Sequence, residues 1–288
     1  MTATDRQYVD GPRPAVVSAP AKLTATLAVT GVRDDGYHLL ESEMLTLDLC
    51  DTLEIATCAP GERSTLEVAA AWPGLDDGAV WRTLSVGPPE DNLVTRALRA
   101  VDRAAHVRLV KRIPPGAGLG GGSADAAAVL RWAGCADRGI AARLGADVPF
   151  CVSGGRALVT GIGDSVEQVP FEERTFVLLL PPFGVDTTAV YRRWDEMHAT
   201  GALPAPGTVT NDLEAPAVSV EPRLAGWKAV LEEWTGRPAA MAGSGSTWFV
   251  ELDARTKAEA ALLPTAGVLE HEGTTALVVV ASALPAQE

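Results

Sequence analysis

Between residues 113 and 130 the chain reads IPPGAGLGGGSADAAAVL, five glycines set between a double proline and an alanine-rich stretch with helical spacing. This segment limits the possible folds more than any other. Glycine lets the main chain take positive φ and lets a ligand approach the backbone closely. The helix that follows offers unpaired N–H groups and the positive end of its dipole, so a phosphate at residues 120–123 would meet several donors at once. Ser123 is expected as the helix N-cap, its hydroxyl serving either the helix or a phosphate. With a strand expected just before it, at residues 107–112, the unit reads as strand, glycine loop, helix.

The kind of phosphate loop is not decided by the glycines alone. Gly116, Gly118 and Gly121 match the dinucleotide spacing, which also calls for an acidic residue at a strand end about twenty positions on. The candidate is Asp137, in a stretch, CADRG, that reads as helix-to-turn. The Walker pattern is absent, because no glycine is followed by Lys-Ser or Lys-Thr. A tight strand-to-helix turn without a ligand remains the bland alternative.

A chain of 288 residues with 47% hydrophobic content can bury a substantial core in one large domain or two ordinary ones. Its apolar runs are too short to cross a bilayer, and the first residues, MTATDRQYVDGPRP, lack the apolar centre of a signal peptide, so a cytoplasmic protein is expected. Cys50, Cys58, Cys135 and Cys151 show no CxxC spacing and no neighbouring histidine in metal-ligand register. A net charge of −13 argues against a nucleic-acid surface, and it means that local cations must attract any phosphate. The candidates are Lys22, Arg33, Lys111 and Arg112.

Residues 1–14 are expected as a frayed arm, followed at 16–30 by a strand pair or one long strand and a tight turn at Arg33-Asp34-Asp35-Gly36. Segments 43–49, 52–57 and 64–70 read as further strands. A helix is expected at 92–105, where Leu93, Val94, Ala97, Leu98 and Val101 share a face behind Asp91 or Asn92 as cap. Short strands follow at 156–160 and 165–169. Composition changes near Pro170, after which strand 175–180, helix 187–197, a Pro/Gly-rich loop at 201–207, helices 211–216 and 222–234, strand 248–252, helix 254–263 and strand 276–281 suggest a second α+β unit with an antiparallel sheet.

Four more segments carry polar chemistry that a core does not require: PAKL opening the first strand, DDGYH at its turn, LGADVPF, and AGSGST before a later strand. Each alone has a plain structural explanation, as a strand-edge lysine, a solvated turn, a helix cap and a hairpin. In this order, with PPGAGLGGGSADAA between them, they resemble the GHMP kinases over residues 19–279. The DGYH turn, GADVPF and the later NDLE resemble most the branch of that superfamily that phosphorylates 4-diphosphocytidyl-2-C-methyl-D-erythritol in non-mevalonate isoprenoid synthesis.

The resemblance implies a two-domain α/β (α+β) fold, with an N-terminal part (1–168) like domain 2 of ribosomal protein S5 and a ferredoxin-like C-terminal part (169–288). It implies ATP and Mg²⁺ as cofactors, a cytidine diphosphate substrate, a monomer or weak homodimer, and no nucleic-acid or membrane partner. Carried over by position, Pro115, Gly116, Ala117, Gly118, Leu119, Gly120, Gly121, Gly122 and Ser123 would wrap the ATP phosphates, with Ser123 beside Mg²⁺. Asn92 and Lys111 fall where the family lines its adenosine pocket. Tyr37 and His38 match the turn that holds cytosine, and Tyr191 would close the sandwich. Thr24 would lie near the sugar-alcohol end. Gly243, Ser244, Gly245 and Ser246 match the third motif, and Lys22 and Asp147 match the catalytic pair. Phosphoryl transfer needs a phosphate cradle, a cation and a group that orients or deprotonates the hydroxyl, and this set contains one of each.

Two departures bear on substrate choice. Thr24 stands where the family pattern has asparagine, and the stretch 133–147 is shorter than the pattern. The resemblance therefore leaves two other readings: a GHMP kinase for homoserine or a mevalonate-like acid, and an inactive nucleotide-binding paralogue.

Overall fold

The computed structural model describes residues 14–71, 88–205, 207–253 and 266–287. The arm expected at 1–14, apart from Pro14, and the helix expected at 254–263 lie outside the described residues. The backbone is organised by two long antiparallel strands, β1 (Ala15–Val32) and β2 (His38–Thr57). The sequence suggested two strands within the second of these, broken near Cys50 and Asp51. The strand runs on because Asp51, a residue type that usually interrupts sheets, is buried and accepts hydrogen bonds from the Arg112 and Ile113 N–H groups and from Lys111.

One edge of β2 pairs with β1 throughout. Its other edge is divided among β4 (Ala105–Lys111), β11 (Thr274–Leu284) and β5 (Arg156–Gly161). β3 (Thr65–Ala70) runs parallel to β4, and β6 (Ser165–Gln168) completes a hairpin with β5. Against this sheet pack α1 (Leu93–Ala100), α2 (Gly121–Trp132), α3 (Arg138–Leu144) and α4 (Val148–Ser153). The first helix stops at Ala100 rather than 105, since the backbone reverses at Asp102 with φ of 51° and β4 begins at Ala105. The residues from Ala124 to Leu130 on α2 are all buried, and its alanines let neighbours approach closely. Enlarging one of them would cost about 1–3 kcal/mol in overpacking.

The remaining elements are β7 (Thr175–Leu180), α5 (Thr187–Ala199), α6 (Glu214–Val220), α7 (Arg223–Thr235), β8 (Ala240–Met241), β9 (Trp248–Leu252), β10 (Ala266–His271) and β11. Strands 7 to 11 pair only antiparallel with one another, as the second unit was expected to. The α6 helix starts three residues later than the sequence suggested, because the side chain of Asn211 is already hydrogen-bonded to the Leu213 N–H. At its end, β11 crosses onto β2, pairing Ala283 with Leu47 and Leu284 with Thr46, so the sheet is continuous. Ala21, Leu23, Leu45 and Leu47 from the first half share one buried cluster with Phe176, Leu178 and Leu277 from the second. This continuity holds the glycine loop and α5 on facing walls of one cleft.

Candidate active site

The glycine loop is shaped by its neighbours. Gly118 has φ of 77°, and a Cβ there would lie 2.5 Å from the Ala242 carbonyl and 2.6 Å from that of Gly245, so only glycine lets the two glycine-rich turns touch. Gly120, also left-handed, is the N-cap of α2, whereas the sequence assigned that place to Ser123. The cap is made by backbone geometry, and Ser123 sits inside the first helical turn with its hydroxyl facing the segment before Asp147, where a Cβ on Gly145 would stand 3.8 Å away. The first intrahelical bond runs from the Ala124 N–H to the Gly120 carbonyl, and among the described residues no side chain caps the N–H groups of residues 121–123. Free N–H groups at a helix start are the geometry that favours an anion.

Beneath the loop, the register of β1 shifts between Pro20 and Lys22. Proline brings no N–H to the ladder, and such irregularities re-aim side chains beside functional sites. The Lys22 N–H donates to the Leu119 carbonyl at 3.0 Å, which ties strand to loop. The stem of Lys22 passes so close under Gly120 that a Cβ there would stand 2.7 Å from its Cγ. Its Nζ reaches Asp147 Oδ2 at 3.3 Å and donates to Thr24 Oγ1 at 3.0 Å. Asp147 occupies the N-cap position of α4 but makes no side-chain cap, leaving its carboxylate to Lys22 and the cleft.

The second glycine-rich turn, residues 242–247, closes this floor. Asn211, buried between the halves, donates through Nδ2 to the carbonyls of Met241 (2.8 Å) and Gly243 (2.7 Å). Asp212 accepts from the Val29 N–H at 2.9 Å, so the NDLE segment buckles β1 to that turn. Ser244 bonds Thr187 at the start of α5, and Ser246 donates to the Phe183 carbonyl. At the other end of the cleft, Tyr37 is 59% exposed on its turn, with the Arg33 guanidinium 6.0 Å from its ring centre. The His38 ring is 4.7 Å from Tyr191 and 5.3 Å from Trp194, and its Nε2 lies 2.8 Å from Asp195 Oδ1. Burial, with Asp147 nearby, pushes the Tyr191 hydroxyl pKa up, so it stays protonated. The cleft between Lys22 and Asp147 at one end and Tyr37, His38 and Tyr191 at the other measures about 600 Å³, within the range of small-molecule sites. A larger hollow of about 750 Å³ between β1 and α5 lacks any such convergence of polar groups.

Residues 92–155 match the family described as GHMP kinases N terminal domain. A 4-diphosphocytidyl-2-C-methyl-D-erythritol kinase of Paracoccus denitrificans (strain Pd 1222) is 37% identical over 265 residues, covering 87% of this chain and 91% of that protein. The chain belongs to this kinase family. A crystal structure of 4-(cytidine 5'-diphospho)-2C-methyl-D-erythritol kinase superposes with a TM-score of 0.65 at 28% identity, covering 94% of this chain and all of that one. A mevalonate kinase at 12% identity and a TM-score of 0.56, covering 95% of this chain and 100% of that one, shares the fold. The architecture is therefore the GHMP kinase fold, and its enzymes use ATP.

Within this GHMP kinase, Lys22, Thr24, Tyr37, His38, Gly118, Gly120, Ser123, Asp147, Tyr191, Gly243 and Ser244 line one cleft. Two expected nucleotide residues have other partners. Asn92 caps α1 through the Val94 N–H at 2.9 Å. Lys111 is buried with Asp51 and Asp125 behind the loop, so its ammonium is not offered to the cleft. Of the four cations proposed from sequence, Lys22 alone lines the cleft; Arg33 pairs with Asp35, and Arg112 is exposed. The cation missed was Arg192. Asp195 and Thr188 were missed as well, although Thr188, Arg192 and Asp195 recur at helical spacing along α5 beside Tyr191, a polar stripe that could have revealed them. The shortened 133–147 stretch holds only α3, capped by Asp137, before it delivers Asp147.

Proposed function

We propose that this protein transfers the γ-phosphoryl group of ATP to the 2-hydroxyl of 4-diphosphocytidyl-2-C-methyl-D-erythritol. The observation that carries this reading is the Lys22–Asp147 pair, 3.3 Å apart between a glycine cradle and an aromatic turn. Asp147 takes the proton of the attacking hydroxyl, whose oxygen bonds to the γ-phosphorus as the bond to ADP breaks. A positioned base of this kind contributes ~10²–10⁴ in rate. Lys22 holds the carboxylate in place and offsets charge on the transferring group. The uncapped N–H groups of residues 121–123 bind phosphate oxygens, and a Cβ at Gly118 or Gly120 would strike the neighbouring backbone or Lys22, so the cradle fits a polyphosphate.

Ser123, with its hydroxyl toward the cleft, would hold Mg²⁺, which would supply positive charge to offset that of the phosphates. Tyr37 and Tyr191 flank cytosine, and His38, steadied by Asp195, meets its polar edge. Thr24 replaces an amide near the acceptor and in the free protein accepts from Lys22. We place the division between the two units at residues 168 and 169, just beyond β6. An aromatic clamp has no purpose for homoserine or a mevalonate-like acid, which favours the cytidine substrate over both.

The reading is tested by a coupled ADP-release assay with 4-diphosphocytidyl-2-C-methyl-D-erythritol, homoserine and mevalonate as acceptors. Turnover is expected with the first alone. A thermal-shift titration adds an independent check, because MgATP should raise the melting temperature by mass action and NAD should not. Stabilisation by NAD with none by ATP would return the loop to a dinucleotide role.

A further inference from the structure

Far from the cleft, three side chains of different elements point their donor atoms at one another. Cys58 follows the end of β2, Glu62 lies in the turn toward β3, and His106 is the second residue of β4. The sulfur, a carboxylate oxygen and an imidazole nitrogen all lie within 4.8 Å of one another. Sequence spacing hides this group. The antiparallel register sets Thr57 opposite Ala105 and Ala56 opposite His106, so residue 58, two positions beyond 56, lies diagonal to residue 106 on the same face.

We propose that Cys58, Glu62 and His106 form a binding site for a single Zn²⁺ ion, with its fourth position open to water. The ligand set, one thiolate, one carboxylate and one imidazole, is the mixture that zinc accepts. Zinc bonds of ~2.0–2.2 Å to nitrogen and oxygen place two such ligands about 3.4 Å apart in a tetrahedron. His106 Nε2 and Glu62 Oε2 stand 3.5 Å apart already.

The orientation of the imidazole is set as well. His106 Nδ1 lies 2.9 Å from Thr65 Oγ1. When the hydroxyl accepts the Nδ1 proton, the Nε2 lone pair is free to face the site, and such outer partners fix the ligating tautomer in metal centres. Glu62 Oε2 is held by the Ala59 N–H at 2.8 Å, so the turn itself aims the carboxylate. Binding converts the Cys58 thiol to thiolate and releases its proton to solvent. The ion would staple the β2–β3 turn to β4. It takes no part in phosphoryl transfer, since β2 separates it from His38 at the strand's other end and β4 separates it from the glycine loop.

The test uses the full chain, freed of metal with a chelator and titrated with Co²⁺ as a spectroscopic probe. A thiolate-to-cobalt charge-transfer band at one equivalent, displaced by Zn²⁺ and lost in Cys58→Ser, supports the site. Zn²⁺ should raise the melting temperature of the wild type and leave that of Cys58→Ser unmoved. Thr65→Val keeps all three ligands yet should weaken Zn²⁺ binding by about 10- to 100-fold. Absence of the band, its persistence in Cys58→Ser through another cysteine, or wild-type Zn²⁺ affinity in both Thr65→Val and His106→Gln overturns the proposal.

Discussion

Lys22 and Lys111 stand under neighbouring residues of the same glycine loop. A Cβ on Gly120 would meet the stem of Lys22, and one on Gly121 would stand 3.2 Å from Lys111 Nζ. Both lysines face aspartates, but the surroundings differ. Lys22 meets one carboxylate whose side chain is 29% exposed to the cleft. Lys111 meets two, Asp51 and Asp125, exposed by 0% and 3%. Removing charges from water is costly unless they are paired, and Lys111 bonds both buried carboxylates, which holds the inner group in place. It joins β2, β4 and α2 at the point where the glycine loop departs. The outer pair opens onto the cleft, the access that the proton-accepting role proposed for Asp147 requires. Similar residue types thus give a buried support on one side of the loop and a cleft-facing pair on the other.

The difference is broken most directly by removing charge from each side. Asp147→Asn should lower kcat by ~10²–10⁴ with ATP affinity and melting temperature near wild type, because the base acts in the transition state. Steady-state kinetics with a direct ATP-binding measurement checks this, and a variant keeping more than about a tenth of wild-type kcat would remove Asp147 from the mechanism. Lys111→Met should act on stability instead, costing about 3–5 kcal/mol by urea unfolding, since two buried carboxylates lose their common cation. Unchanged stability with a tenfold higher KM for ATP would show that Lys111 is a nucleotide ligand after all.

A smaller effect separates the two ends of the cleft. Tyr37→Ala should raise KM for the cytidine substrate by roughly tenfold or more, because stacking on an aromatic is worth ~1–3 kcal/mol per base. KM for ATP should stay put. Equal losses for both substrates would mean that the turn shapes the whole cleft rather than one base subsite.

These contrasts also show what the chain reveals before it folds. That Lys22, Asp147, Tyr37 and the glycine loop would gather in one place was legible because each sits in a local segment whose chemistry is unusual for a core. Strands β7 and β9 were legible as runs of β-branched, aromatic and leucine residues of strand length. Lys111 was misassigned, since its position after a strand and before the loop fits a ligand as well as a strut. Only the approach of Asp51, 60 residues away in sequence, decides between them. Asn211 was visible as part of a motif but its task was not, because its bonds to Met241 and Gly243 span 30 and 32 residues. The N-cap went to Gly120 rather than Ser123 because a left-handed backbone, invisible in composition, made the turn.

The smallest expected effect is the response of the inner lysine group to pH. Burial pushes the Asp125 carboxyl up, to about 7, against the pull of Lys111 and with a further push from Asp51. Its Oδ1 is buried without a hydrogen-bond partner among the described residues. In the unfolded chain the same group titrates near ~3.9. Between these values the folded state binds more protons than the unfolded one, so stability falls as pH rises. The stabilisation linked to this proton is fully present below ~3.9 and is lost as pH climbs through about 7. Asp125→Asn keeps a carbonyl oxygen for Lys111 but cannot titrate. Urea unfolding of the two proteins side by side should therefore show wild type losing about 1 kcal/mol more than the variant between pH 6 and 7. At pH 7 the variant should also keep most of its kcat, in contrast to Asp147→Asn. Parallel stability curves would mean that Asp125 shares the fate of an ordinary paired carboxylate, and that the support behind the loop carries no proton of its own at neutral pH.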